Sequence, residues 1–191
     1  MKTSRILSLL VLLGAASAAS AHTGHGTHSL MEGLAHPFGL DHLLAMVAVG
    51  VWSAVALPGA RRWYGPITFL TAMSMGALLG AAGLSLPGTE LGIAASVAVF
   101  GAMLVAGARL PQRLGLLAVA AAAALHGLAH GAELPAGGSF AAYAAGFLLM
   151  TAVLHVAGVG LGTALRDARA LVWRGLGAGL GAAGLLLMLR A

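Results

Sequence analysis

The chain has 191 residues, of which 60% are hydrophobic and only 8% are charged. Such a small share of charged residues cannot cover the surface of a soluble domain. The composition therefore excludes a water-soluble globular protein. Cysteine is absent, which excludes disulfides, thiolate metal sites and Fe–S clusters and leaves imidazole, carboxylate and thioether groups as metal ligands. The net charge of +5 is explained below by the positions of the arginines.

Residues 1–21 have the three-part pattern of a secretory signal peptide. Lys2 and Arg5 precede an apolar stretch over residues 6–16, and the Ala-Ser-Ala sequence at 19–21 is a small-x-small cleavage site. We therefore predict cleavage before His22. An uncleaved signal anchor is the alternative, and both outcomes place residue 22 on the outer side of the membrane.

The predicted mature protein begins with a histidine-rich periplasmic segment, residues 22–36. His22, His25 and His28 follow one another at His-x2-His-x2-His spacing. Such a segment is able to collect metal ions from the periplasm. An exposed linker without a binding role is the alternative, because the segment has no fixed geometry.

Residues 37–191 are predicted to form an all-α domain of six transmembrane helices. A helix needs about 20 apolar residues to cross a bilayer, and runs of that length are separated by Pro, Gly and Arg. The predicted spans are 37–57, 65–86, 91–108, 114–132, 139–162 and 170–189. Glycines at small-x3-small spacing, such as Gly76/Gly80 and Gly158/Gly162, predict close contact between these helices.

The arginines indicate which loops face the cytoplasm. Seven of them lie in or beside the loops that follow the first, third and fifth spans, and only Arg190 follows the last span. The seven are Arg61, Arg62, Arg109, Arg113, Arg166, Arg169 and Arg174. Because cytoplasmic loops are enriched in Lys and Arg, this bias predicts a protein of the bacterial inner membrane with a periplasmic N-terminus. The basic charge is then topogenic, and we expect no nucleic-acid partner.

The first polar cluster opens the first span. Pro37 disfavours helical geometry at His36 and suits the first helical position, so we predict that the membrane helix begins there. Asp41, His42 and Met46 then share one side of the helix, and His36 folds over its end. Ionisable groups inside a membrane cost at least about 2.5 kcal/mol each, so they require a partner or a function. This set suits a divalent transition metal; an Asp–His hydrogen bond that only caps the helix is the alternative.

A second polar cluster closes the fourth span. His126, His130 and Glu133 are spaced i, i+4 and i+7, which places them on one stripe of a helix. Two imidazoles one turn apart are able to chelate one ion, while Glu133 either adds a ligand or orients a ring. The fourth span runs outward, so this stripe lies at the depth of the first cluster. We expect the two clusters to form one shared metal site; histidines that only pack helices are the alternative.

A single histidine, His155, lies in the fifth span. Thr151, Gly158 and Gly162 share its helix face. A lone buried histidine is usually a hydrogen-bonded packing residue. The alternative is a second station for an ion on a path towards the cytoplasm.

The two clusters resemble the motifs of the HupE/UreJ family of bacterial nickel permeases, which are small exported membrane proteins associated with hydrogenase and urease genes. The resemblance covers essentially the whole mature chain. The family's opening motif is similar to residues 36–46, and its later motifs are similar to residues 126–133 and 151–158. The spacing of His36, Asp41 and His42 also resembles the signature of a separate class of nickel/cobalt permeases. The resemblance implies a permease rather than an enzyme, with Ni²⁺ or Co²⁺ as its substrate and no permanently bound cofactor.

The favoured function is secondary transport of a divalent transition-metal ion, nickel before others, from periplasm to cytoplasm. The expected site consists of His36, Asp41, His42, His126, His130 and Glu133, with Met46, His155, His22, His25 and His28 as secondary candidates. No phosphate-binding G-x4-G-K-[ST] motif is present, and a potential of about 100 mV already gives an entering divalent ion about 4.6 kcal/mol.

Two other functions compete with transport. An intramembrane zinc-dependent hydrolase would use the same polar cluster to activate water, and a metal sensor or storage protein is the third option. The expected partners are the metal ion and the lipid bilayer, and the sequence leaves a homo-oligomer open.

Overall fold

The computed structural model describes residues 29–132 and 139–191, and this part of the chain contains helices and no strands. The α-helices are α1 (Ser29–Ala35), α2 (Leu40–Ala56), α3 (Tyr64–Ala81), α4 (Thr89–Ala106), α5 (Gln112–Ala132), α6 (Phe140–Ala164) and α7 (Ala170–Met188). Short 3-10 turns at His36–Phe38, Gly59–Trp63 and Gly107–Arg109 connect some of them. The predicted signal peptide lies outside the described residues.

Five of the described helices are long and apolar enough to cross a membrane, and a sixth span results if the bent pair of α1 and α2 is counted as one. The predicted all-α fold is therefore confirmed, with five to six candidate spans. The predicted end of the second span is wrong, because α3 ends at Ala81 and not at residue 86. Gly83 follows with a φ of 92°, the left-handed conformation that commonly ends helices.

The first span is broken at Gly39. We predicted that its helix begins at Pro37, but Pro37 lies in a 3-10 turn and α2 begins at Leu40. Gly39 interrupts the helix because its backbone is extended, with a ψ of 138°. The segments on either side of the break meet at 77°. As a result, the residues before the break lie beside the first turn of α2.

Glycines allow two pairs of helices to come into backbone contact. A Cβ added at Gly76 in α3 would collide with the carbonyl oxygen of Ala124 in α5. A Cβ added at Gly158 in α6 would likewise collide with the carbonyl oxygen of Val47 in α2. The predicted role of these glycines in close packing is confirmed, and it places α3 along α5 and α2 along α6.

Each of the first three long helices packs against one of the last three. α2 packs along α6, α3 packs along α5, and α4 packs along α7. Exchanging α2 with α5, α3 with α6 and α4 with α7 leaves this set of pairs unchanged. Because short loops join successive spans of a membrane bundle, such spans alternate in direction, and the two halves would then have opposite orientations. This is the pairing of a three-plus-three inverted repeat, although the halves show only faint sequence similarity.

Large aromatic side chains pack in the interior of the bundle, and many leucine side chains are exposed on its outside. Trp52, Phe69 and Phe147 are among the largest fully buried side chains. Leu78 and Leu117, by contrast, are 63% and 64% exposed. An apolar outer face around a packed bundle is the surface that hydrocarbon chains cover in a membrane.

The Gly158→Ala variant is expected to be less stable than the wild type. Its new methyl group meets the backbone of α2, and overpacking of this kind costs about 1–3 kcal/mol. The matched control is Gly160→Ala on the same helix, where an added Cβ meets nothing within 4 Å. Thermal unfolding of the detergent-solubilised variants measures the difference. Equal melting temperatures for the two variants would contradict the close contact between α2 and α6.

Candidate metal centre

Four imidazole rings meet at the end of the bundle where α2 begins and α5 ends. The centroid of the His36 ring lies 4.4 Å from that of His130 and 5.6 Å from that of His42. The His42 centroid lies 4.6 Å from that of His126 and 4.9 Å from that of His130. The two polar clusters of the sequence are therefore adjacent in space, although their helices make most of their backbone contacts with other partners.

Three of these histidines converge closely enough to share one ion. One ring nitrogen each from His36, His42 and His130 lies within 4.8 Å of the others. Nitrogen ligands bind at about 2 Å from a metal ion, so neighbouring ligand atoms are roughly 3 to 4 Å apart. A small contraction of the cluster would therefore bring all three nitrogens to bonding distance. His42 and His130 are buried, whereas His36 is half-buried, so His36 lies on the open side of the cluster.

Asp41 fixes the orientation of the His42 ring. Its Oδ1 atom accepts hydrogen bonds from the backbone N–H and from Nδ1 of His42, both at 2.8 Å. Because an ionised carboxylate only accepts, Nδ1 carries the proton and Nε2 presents a lone pair. Nε2 is buried without a hydrogen-bond partner among the described residues. The Asp–His hydrogen bond considered as an alternative thus exists, and it leaves Nε2 of His42 available to bind an ion.

Ser96 in α4 fixes the His126 ring in the same manner. Its hydroxyl donates to the carbonyl oxygen of Ile93 at 2.6 Å and lies 3.2 Å from Nε2 of His126. Since the hydroxyl proton is already used, Nε2–H donates to Oγ and the lone pair of His126 is on Nδ1. That atom is buried without a hydrogen-bond partner within the described ranges. Ser96 was not among the residues predicted from the sequence, where it is visible only as a hydroxyl residue within an apolar span.

The His130 ring contacts other rings but lacks hydrogen bonds to the described residues. It is fully buried, and neither of its nitrogens has a hydrogen-bond partner in the part of the chain that is described. One side of the ring packs on Phe147, with centroids 4.9 Å apart. A buried polar group without a partner costs about 1–3 kcal/mol. Several such nitrogens in one cluster are a donor set suited to a transition-metal ion.

The other predicted site residues lie apart from this cluster or outside the described residues. Met46 is fully buried in the apolar core, one turn beyond His42. His155 lies deeper, with its ring centroid 4.8 Å from that of Phe69, which in turn is 5.6 Å from His126. Glu133, His22, His25 and His28 fall outside the described residues, so their part in the site stays a prediction.

Aromatic residues that sequence reasoning missed complete the walls of the site. Tyr143 contacts the His36 ring at a centroid distance of 5.8 Å, and Phe147 and Phe69 pack on the other imidazoles. Each is an aromatic residue in an apolar span, so the sequence contains no signal that distinguishes it from a core residue.

Comparison with known proteins identifies the family. The HupE / UreJ protein family matches residues 10–187. The chain is 41% identical over 162 residues to Protein HupE of Rhizobium leguminosarum bv. viciae, and the match covers 84% of each chain. No solved structure matches the chain significantly. The chain therefore belongs to the HupE/UreJ family, whose members are membrane transporters and not enzymes.

Proposed function

We propose that this protein carries a divalent transition-metal ion, nickel before others, from the periplasm into the cytoplasm through the imidazole cluster. The observation that carries the proposal is the convergence of ring nitrogens from His36, His42 and His130 inside an apolar helix bundle. Membership of a transporter family supports it. The same membership makes the alternative of an intramembrane zinc hydrolase wrong.

The chemistry of the cluster favours a borderline divalent ion. Imidazole suits Ni²⁺, Cu²⁺ and Zn²⁺, and the absence of cysteine removes the thiolates that favour Cu⁺. Affinity alone does not select nickel, because copper binds such ligands more tightly. Geometry and metal availability must therefore select nickel or cobalt.

Asp41 supplies negative charge beside the cluster. A divalent ion is expensive to place in a medium of low dielectric constant unless anionic groups lie nearby. Asp41 is hydrogen-bonded to His42 and therefore lies directly behind one ligand ring. Glu133 is proposed as the second carboxylate, since it follows His130 on the same predicted stripe.

Transport of this kind needs no nucleotide. An inside-negative potential of about 100 mV contributes about 2.3 kcal/mol per elementary charge, and so about 4.6 kcal/mol for a divalent ion. We therefore propose uniport or proton-linked transport without a permanently bound cofactor.

We propose that the cluster faces the periplasm in the inner membrane. The arginines that support this orientation lie at the opposite end of the bundle, in the turns Gly59–Trp63 and Gly107–Arg109 and near residues 166–169. Positive charge marks the cytoplasmic side.

A dual reporter fused after Ala191 is expected to show a periplasmic C-terminus. Reporter activity confined to the cytoplasm would contradict this topology.

The Asp41→Asn and His42→Ala variants are expected to reduce nickel uptake to background, and His130→Ala to be nearly as severe. Loss of a carboxylate that orients a ligand ring typically costs about 10- to 100-fold in metal affinity or activity. Uptake of radiolabelled nickel by proteoliposomes with an inside-negative potential measures the effect. The matched control is Asp167→Asn, because Asp167 is exposed in the loop before α7.

Each variant must first be shown to be present in the membrane at the normal level. Wild-type uptake by Asp41→Asn would then show that the proposed site is wrong.

His25→Ala is expected to lower uptake only at low metal concentration, because the N-terminal segment is proposed to collect ions rather than to pass them.

A further inference from the structure

His155 in α6 is a buried histidine that the cluster does not use. It is 1% exposed, and its Nδ1 lies 2.8 Å from the carbonyl oxygen of Thr151, one turn earlier. Because a carbonyl oxygen only accepts, Nδ1 carries the proton and the lone pair is on Nε2. Nε2 is buried and has no hydrogen-bond partner among the described residues.

Thr151 repeats this pattern one turn away on the same helix face. Its side chain is fully buried, and its Oγ1 atom also has no hydrogen-bond partner within the described ranges. Each such atom costs about 1–3 kcal/mol in a buried environment. Apolar side chains of similar volume would avoid this cost, so packing alone does not account for His155 and Thr151.

The position of His155 continues the line of imidazoles into the bundle. His130 contacts Phe147 of α6, and His155 lies eight residues further along that helix, which is about 12 Å at roughly 1.5 Å per residue. The displacement is towards the end of the bundle that carries the arginines. The Phe69 ring contacts both His126 and His155, so this ring bridges the outer cluster and the deeper histidine.

We infer that Nε2 of His155 and Oγ1 of Thr151 form an inner binding station for the transported divalent ion, which reaches it from His126 past the edge of Phe69. The inference rests on the proposed function. It also gives the two stations different tasks. Three imidazoles capture the ion at the outer cluster, whereas one imidazole and one hydroxyl hold it weakly enough to release it. Transport through several sites requires binding of this graded kind.

The His155→Cys variant tests the inner station by spectroscopy. The natural chain has no cysteine, so a thiolate at 155 is the single source of a thiolate-to-cobalt charge-transfer band. The matched control is Val156→Cys, the next residue, whose side chain is 55% exposed on the outer face. Full-length protein in detergent is titrated with Co²⁺, and equilibrium dialysis on the same samples counts the bound ions.

The expected result is a near-ultraviolet charge-transfer band for His155→Cys and none for Val156→Cys. Absence of the band in His155→Cys, at a Co²⁺ concentration that fills the outer cluster, would overturn the inner station and leave the proposed function intact. Failure of the wild-type protein to bind Co²⁺ or Ni²⁺ would overturn the outer cluster, and with it this inference.

A second variant decides the matter if His155→Cys does not fold. Thr151→Val removes the hydroxyl while keeping the shape of the side chain. It is expected to lower the maximal rate of nickel uptake by about tenfold, as a 1.4 kcal/mol change would, with an unchanged KM because the outer cluster still captures the ion. A maximal rate equal to that of the wild type would overturn the role of Thr151 and the station with it.

Discussion

An imidazole nitrogen without a hydrogen bond is costly to bury among apolar helices, and this cost governs the arrangement of the site. Along the line from His36 to His155, each ring whose hydrogen bonds are described uses one nitrogen at most. Asp41, Ser96 and the carbonyl oxygen of Thr151 fix the protonated side of three rings. In the proposed transport function, the remaining lone pairs would be oriented as ligands before an ion arrives, which would reduce the reorganisation that binding requires.

The two halves of the fold each contribute some of the histidines that carry these lone pairs. His42 belongs to the first half, whereas His126 and His130 belong to the second. The glycine contacts hold α2 against α6 and α3 against α5, so each pair joins helices from both halves. The cluster thus lies where the halves meet, and a rocking motion of one half against the other would change the distances between its nitrogens. Inverted repeats in other transporters place their substrate sites at this type of boundary.

The sequence predicted the outline of the site better than its details. Apolar length predicted the spans, and the spacing of His126 and His130 predicted a shared helix face, because both follow from the geometry of a single helix. The break at Gly39 was not predicted, since its extended backbone is open to any residue and leaves no signature. Ser96 and Phe69 were missed because their contacts with His126 depend on the register between helices, which periodicity within one helix does not determine.

The proposed outer cluster can be tested by X-ray absorption of the protein loaded with one equivalent of nickel, which the three imidazoles would bind before the weaker inner station. The full-length chain should carry His22→Ala, His25→Ala and His28→Ala, so that the N-terminal segment contributes no imidazole to the signal. The proposed imidazole cluster predicts about three imidazole rings in the nickel shell, one each from His36, His42 and His130, and a loss of imidazole scattering on addition of His130→Ala. A shell of oxygen ligands without imidazole scattering would contradict it.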